Sequence, residues 1–205
     1  MVSFFNLRVK LVILILLIPI YSFAKSVYSA YISEGMLSYK LGDYDKAIES
    51  FEKALELNPN DSLPYRMIGL CYYRKSLFEQ ALTYLSISLV LENDLNNVTL
   101  SIMGNIYFKQ RKYNNSVLIY ERLSKVTNDA FTHYRLMKSL ENIGKLEEAV
   151  SVGENFLSSP DWRGFDERTF KLELKSIYLK LSSKYKKIGR ENDSRILLEK
   201  ARNLN

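Results

Sequence analysis

Small residues recur along this chain at a nearly fixed interval, and that interval leaves few folds open. Gly35, Gly69 and Gly104 stand 34 and 35 residues apart, and each is followed twelve residues later by another small side chain, Ala47, Ala81 or Ser116. Two helices approach closely only where neither carries bulk at the crossing, so each pair predicts a helical hairpin with small residues facing one another. A glycine inside a helix costs about 0.5–1 kcal/mol relative to alanine, and close packing of the hairpin has to offset that cost. Around these pairs the first copy, Gly35, Gly42, Ala47, Phe51, Ala54 and Pro59, is answered by Gly69, Ser76, Ala81, Leu85, Ser88 and Asn93. A period of this length implies stacked hairpins, since one hairpin cannot bury its apolar face alone, and such arrays usually hold other molecules.

The turn residues agree. Leu41-Gly42-Asp43-Tyr44 and Ile143-Gly144-Lys145-Leu146 place glycine where a helix ends in a left-handed residue. Pro59 falls between units, and Pro64 falls in the first turn of a helix begun by Ser62, where its missing N–H does no harm.

These residues resemble the tetratricopeptide repeat family, whose pattern runs aromatic, Leu-Gly, Tyr, Ala, aromatic, Pro. Tyr31, Gly35, Ala47, Phe51 and Pro59 carry the resemblance in the first unit; Tyr65, Ile68, Gly69, Tyr72 and Ala81 carry it in the second. A third reads Met103, Gly104, Tyr107, Tyr113, Ser116 and Tyr120. The fourth keeps Leu136, Gly144, Leu146 and Ala149 but has Met137 where glycine is expected. A fifth, from Tyr178, Leu181, Tyr185, Gly189, Ser194, Leu198 and Ala201, follows an insertion of about eleven residues. The resemblance implies an all-α, right-handed α-solenoid of about five hairpins over 28–205, with units near 28–61, 62–96, 97–129, 130–160 and 168–205. The polar last helix, with Arg190, Glu191, Asn192, Arg195, Glu199 and Lys200, is expected to cap the array.

Residues 1–24 follow another plan. Arg8 and Lys10 precede an apolar run from Leu11 to Ile18, and Ser22-Phe23-Ala24 offers small residues before a cut. That is the layout of a secretory signal peptide, cleaved after Ala24 or kept as an N-terminal anchor. The expected address is therefore exported, periplasmic or secreted, with membrane contact only through an uncleaved N-terminus. Loss of Arg8 and Lys10 takes the formal charge from +6 to +4. That mild, scattered excess argues against nucleic acid as a partner.

Catalytic, cofactor-binding and metal-binding residues are not expected. Cys71 is the only cysteine, and it sits between Leu70 and Tyr72 on a core-facing helix, so a small buried hydrophobe is favoured over an intermolecular bridge or reactive thiol. His133 is the only histidine and occupies a packing slot filled elsewhere by Tyr31, Tyr65, Leu100 and Tyr178, so neither a His-Cys pair nor a metal set assembles. Carboxylates such as Glu147 and Glu148, or Asp43 and Asp45, begin second helices and complement their dipoles.

Partner recognition is thus expected on the surface. Tyr39-Lys40, Tyr73-Arg74 and Phe108-Lys109 recur near the ends of three successive first helices, which in this family line the concave face. They would form a ladder of rings and cations, joined by Arg66, Asn105 and Lys138, able to hold a protein partner or peptide segment. The family's clamp for chaperone C-termini is disfavoured: its places hold Ile32, Met36, Met67, Val98 and Ile102, and a frame one unit later keeps only Arg66 and Arg135 as cations, with Leu70, Ile102 and Phe131. The insertion, residues 158–167, carries the only tryptophan. Trp162 and Arg163 form either a contact loop or, the preferred reading, a cover in which Trp162 and Phe165 close the fourth hairpin while a helix begins near Asp166. The expected function is an exported scaffold for protein interaction or complex assembly in the cell envelope. The alternatives are a structural subunit of a larger envelope complex and, less favoured, an enzyme with its site in the groove.

Overall fold

Alternating short turns and amphipathic segments produce helices paired into hairpins. The computed structural model describes residues 2–92 and 96–204, with side chains from Tyr21 onward. Among the described residues it holds ten helices: α1 (Val2–Leu41), α2 (Tyr44–Leu57), α3 (Ser62–Arg74), α4 (Phe78–Leu91), α5 (Asn97–Lys109), α6 (Tyr113–Ser124), α7 (Ala130–Asn142), α8 (Leu146–Ser158), α9 (Glu167–Lys187) and α10 (Glu191–Asn203). They pair in chain order as five hairpins, so the expected all-α class holds. The expected leader, 1–24, lies up to residue 20 outside the residues whose side chains are described, and α1 runs through residue 24 without a break. Among the described residues no helix is long and apolar enough to cross a membrane. The chain divides into two units, Met1–Leu95 and Asn96–Asn205, with α1 to α4 in the first and α5 to α10 in the second.

Local chemistry sets the helix ends. The first helices α3, α5, α7 and α9 begin behind Asp61, Asn96, Asp129 and Asp166, whose side chains accept from Leu63, Thr99, Thr132 and Thr169 N–H groups. Such caps satisfy donors that the first helical turn leaves open. Of the second helices only α2 has one, from Asp43 to the Lys46 N–H at 3.1 Å. Within the hairpin turns one residue is left-handed: Gly42, Gly144 and Gly189 near φ +80°, but Ser76 at +60° and Arg111 at +57° in the second and third hairpins.

The core forms where the hairpins cross. A Cβ on Gly35 would stand 2.7 Å from the Phe51 ring, one on Gly69 2.7 Å from Leu85, and one on Gly104 2.8 Å from Tyr120. The glycine therefore receives the large residue sixteen positions on, while the small residue twelve positions on is buried beside it. Ser116 shows the second contact directly, its hydroxyl donating to the Gly104 carbonyl at 3.3 Å. Hairpin α9–α10 uses serines for both small residues, Ser182 and Ser194, whose hydroxyls meet at 2.8 Å.

Hairpin α7–α8 exchanges the sizes. Met137, wholly buried, fills the glycine place, and the residue sixteen on is Gly153, where a Cβ would lie 2.7 Å from the Met137 sulfur and 2.7 Å from Leu174. The departure at Met137 is thus compensated across the same crossing, with bulk moved from the second helix to the first.

Candidate functional site

In the first unit the rungs predicted from sequence touch. Tyr39, late on α1, accepts a 3.2 Å hydrogen bond at its hydroxyl from Arg74 Nε on α3, and its ring lies 5.7 Å from Tyr44. Tyr73 packs 6.2 Å from Phe78, and Lys40 is exposed beside Tyr39. Arg66 is engaged with its own unit: its Nη1 donates to Glu92 Oε1 at 2.6 Å, and Ser62 donates to the same oxygen at 2.5 Å.

The second unit arranges its cations differently. Phe108 is half-buried and edge-on to Tyr113 at 5.4 Å, while Asn105 is half-buried and Lys109 exposed on the same helix. Lys138 donates to Glu141 and Glu173, each at 2.7 Å, and Glu141 also receives Lys180. Burial alone would lower the Lys138 pKa, yet its two carboxylate partners raise it; the same network outweighs the burial of Glu141 and lowers that carboxyl.

Arg135, on α7, is one of the two cations that the clamp frame one unit later keeps. Its guanidinium carbon lies 4.7 Å from the Phe108 ring centre and 5.2 Å from that of Phe131. Among the described residues its Nε is buried without an acceptor and no carboxylate pairs with it. The signal for this site was split between α5 and α7, so no local motif displayed it.

The insertion reaches the same patch. The backbone of Ala130 donates to the Asp161 carbonyl at 3.0 Å, and Asn128 Nδ2 donates to the Ser159 carbonyl at 2.5 Å, which ties the loop to the start of α7. Phe165 then lies 4.9 Å from Tyr134 and 6.3 Å from Phe131. Trp162 stands edge-on to Phe156 at 5.1 Å and to Phe170 at 5.4 Å, half-buried, so its ring covers the hairpin end. Arg163 is 90% exposed and grips Asp161 at 2.6 Å.

The two singular residues are packed. His133 stacks on Phe156 at 4.8 Å with Nδ1 3.0 Å from the Asp129 carbonyl oxygen. Cys71 is fully buried, and burial pushes its thiol up to about 12. Among the described residues no three His, Cys, Asp or Glu side chains gather into a metal-holding group.

Hairpin packing of this kind has counterparts among known proteins. The family model for the tetratricopeptide repeat matches residues 28–61. That stretch, the first hairpin, is thus a match to a tetratricopeptide repeat. Over 59 residues it is 39% identical to a TPR repeat-containing protein, MJ1428, of Methanocaldococcus jannaschii, 29% of this chain and 10% of that protein. It thus spans about a tenth of the length of that curated relative. Among solved structures the TPR protein YrrB, described as having an unusual peptide-binding site, aligns at TM-score 0.63 and 19% identity, covering 85% of this chain and 84% of its own. A MamA structure aligns at 0.64 and 19%, covering 88% and 92%. MamA of Desulfovibrio magneticus RS-1 aligns at 0.60 and 14%, covering 87% and 94%. These likenesses establish the fold, a helical solenoid.

Proposed function

We propose that this TPR chain is an exported scaffold of the cell envelope that holds a protein partner, or an extended segment of one, on its first-helix faces. The observation that carries the reading is the pairing of ring and cation between successive first helices: Tyr39 with Arg74 in the first unit, and Phe108 with Arg135 in the second. Rings supply contact area at low entropic cost, and guanidinium groups select carboxylates. The peptide-binding site attributed to YrrB agrees with that use of the fold. Export is supported by Arg8 and Lys10 ahead of the apolar run, with small residues following it.

In-cell crosslinking of the tagged chain, followed by identification of what is captured, is the direct test. Reversal of charge at Lys40, Arg74 and Lys109 should deplete the captured partner; undiminished capture sinks the groove reading and leaves a subunit packed through other surfaces. Fractionation tests the address. A cytosolic chain with Met1 to Ala24 intact overturns export.

A further inference from the structure

Among the described residues of the second unit, Arg135 is a half-buried cation whose Nε lacks an acceptor and whose guanidinium lies against two rings. Its neighbours on this surface are treated otherwise: Lys138 and Lys180 are matched by Glu141 and Glu173, and Arg163 by Asp161. Phe108 and Phe131 flank the guanidinium, which fixes its plane and removes the rotational freedom a carboxylate would otherwise have to quench. An Nε buried without an acceptor is unfavourable for the isolated chain. An arriving carboxylate meets the guanidinium at its Nη groups, where the planar fork offers two hydrogen bonds.

The neighbouring surface suits an apolar side chain. Phe165, brought in by the insertion and held by the backbone bond from Ala130 to Asp161, adds a half-buried ring beside Tyr134 and Phe131. A plain hairpin-to-hairpin turn would not deliver that ring. Cation and ring wall thus lie side by side on α7 and the loop that crosses its start.

We infer that Arg135, Phe131, Tyr134 and Phe165 form a recognition site for an internal acidic residue followed by an aromatic one in a peptide segment of a protein partner. Arg135 reads the carboxylate and the Phe165 side of the patch takes the ring. The inference rests on the scaffold reading and assigns the chemistry of the segment held.

The test uses the full chain in mild detergent and two fluorescent peptides of Gly and Ser, blocked at both ends, one carrying a central Glu-Phe pair and the other Gln-Phe. Fluorescence anisotropy should show the Glu-Phe peptide binding about tenfold more tightly, the value of one charge-assisted hydrogen bond over a neutral one. Arg135→Lys keeps the charge but not the fork, and should abolish most of that preference; Phe165→Ala should weaken both peptides alike. Equal affinity for the two peptides, no saturable binding by about 1 mM, or a preference that survives in Arg135→Lys overturns the assignment. Because the peptide comparison is made first on the unaltered chain, a variant that fails to fold does not decide it. Phosphatidylglycerol vesicles that displace the peptide from the wild type but not from Arg135→Lys would move the site to lipid headgroups and overturn the peptide assignment. Capture of a partner in cells at undiminished yield with Arg135→Lys overturns this site and leaves the scaffold reading standing; loss of every captured partner with the peptide preference intact does the reverse.

Discussion

Single side chains decide what this chain can react with and how tightly its turns close. Cys71 is enclosed by core residues, and with its pKa pushed up to about 12 from the ordinary 9.0 the thiolate fraction near neutral pH falls about a thousandfold. Ellman's reagent should therefore leave the native chain untouched and modify it promptly in guanidinium; rapid modification of the native protein contradicts the buried site. The turns hold an unused gain. Ser76 and Arg111 carry the left-handed conformation that Gly42, Gly144 and Gly189 carry elsewhere. That conformation costs an L-residue about 1–2 kcal/mol, partly offset by the greater freedom glycine loses on folding. Ser76→Gly and Arg111→Gly should each raise stability by about 0.5–1 kcal/mol in urea titrations. A lower midpoint for either would mean that its side chain makes a contact worth more than the strain.

Between helices the governing quantity is bulk at the crossing. Hairpins α1–α2, α3–α4 and α5–α6 set glycine on the first helix against Phe51, Leu85 and Tyr120 on the second, whereas α7–α8 sets Met137 against Gly153. Gly153→Leu should cost about 1–3 kcal/mol by overpacking against Met137 and Leu174. Met137→Gly should cost about 2–5 kcal/mol through the cavity it leaves. Combined, the two changes restore the size order of the other hairpins and should cost at least about 1 kcal/mol less than their sum, with recovery kept incomplete by Leu174. Strict additivity in thermal or urea melts would show that the two residues do not share one space. At this scale the sequence displays the period and the small pairs that meet at the crossing, Gly104 with Ser116 among them, but not the large side chain that also packs there. The small residue at a spacing of twelve lies beside each glycine, and the side chain over Gly35, Gly69 and Gly104 is the large one at sixteen. The spacing of twelve is legible because small residues are rare in helix interiors; the compensation at Gly153 is not, because volume is conserved across a contact and not along the chain.

Over the whole chain, charge sets the response to pH. Asp129 loses solvation by burial, but hydrogen bonds from Thr127 and Thr132 more than offset that and lower its pKa below 3.8. Glu141 falls below 4.5 against the same opposition from burial, through Lys138 and Lys180, and Glu147 falls chiefly through Lys184. A carboxyl with a lowered folded pKa contributes stability that is present above its unfolded value and disappears as pH falls through the folded one. Lys138, raised above 10.5 in the folded chain, contributes below its unfolded value and loses that contribution as pH rises through the folded one. The urea midpoint should accordingly be nearly level from about pH 6 to 9, drop below about pH 4, and drop again above about pH 11. Glu141→Gln should flatten part of both limbs, since it removes the partner of Lys138 and Lys180; an acid limb unchanged by that substitution excludes the network as its cause.

By itself the sequence determined the all-α class, the hairpin period, the seat of Cys71 and His133 in packing positions, and the cover made by Trp162. All of these follow from residue size and polarity recurring at fixed intervals, which a linear chain displays. Which cations remain available to a partner was decided only by tertiary structure. Arg66 and Lys138 are drawn from the predicted ladder into contacts with Glu92, Glu141 and Glu173, residues 3 to 35 positions away in sequence, whereas Arg74 stays within it on Tyr39. Arg135, which no local motif marks, lies between two rings, and Phe165 arrives beside them because the insertion folds back across the start of α7. Packing of helices is periodic, so sequence displays it; the pairing of charges depends on which long side chains happen to reach one another, and that distance exists only in the folded molecule.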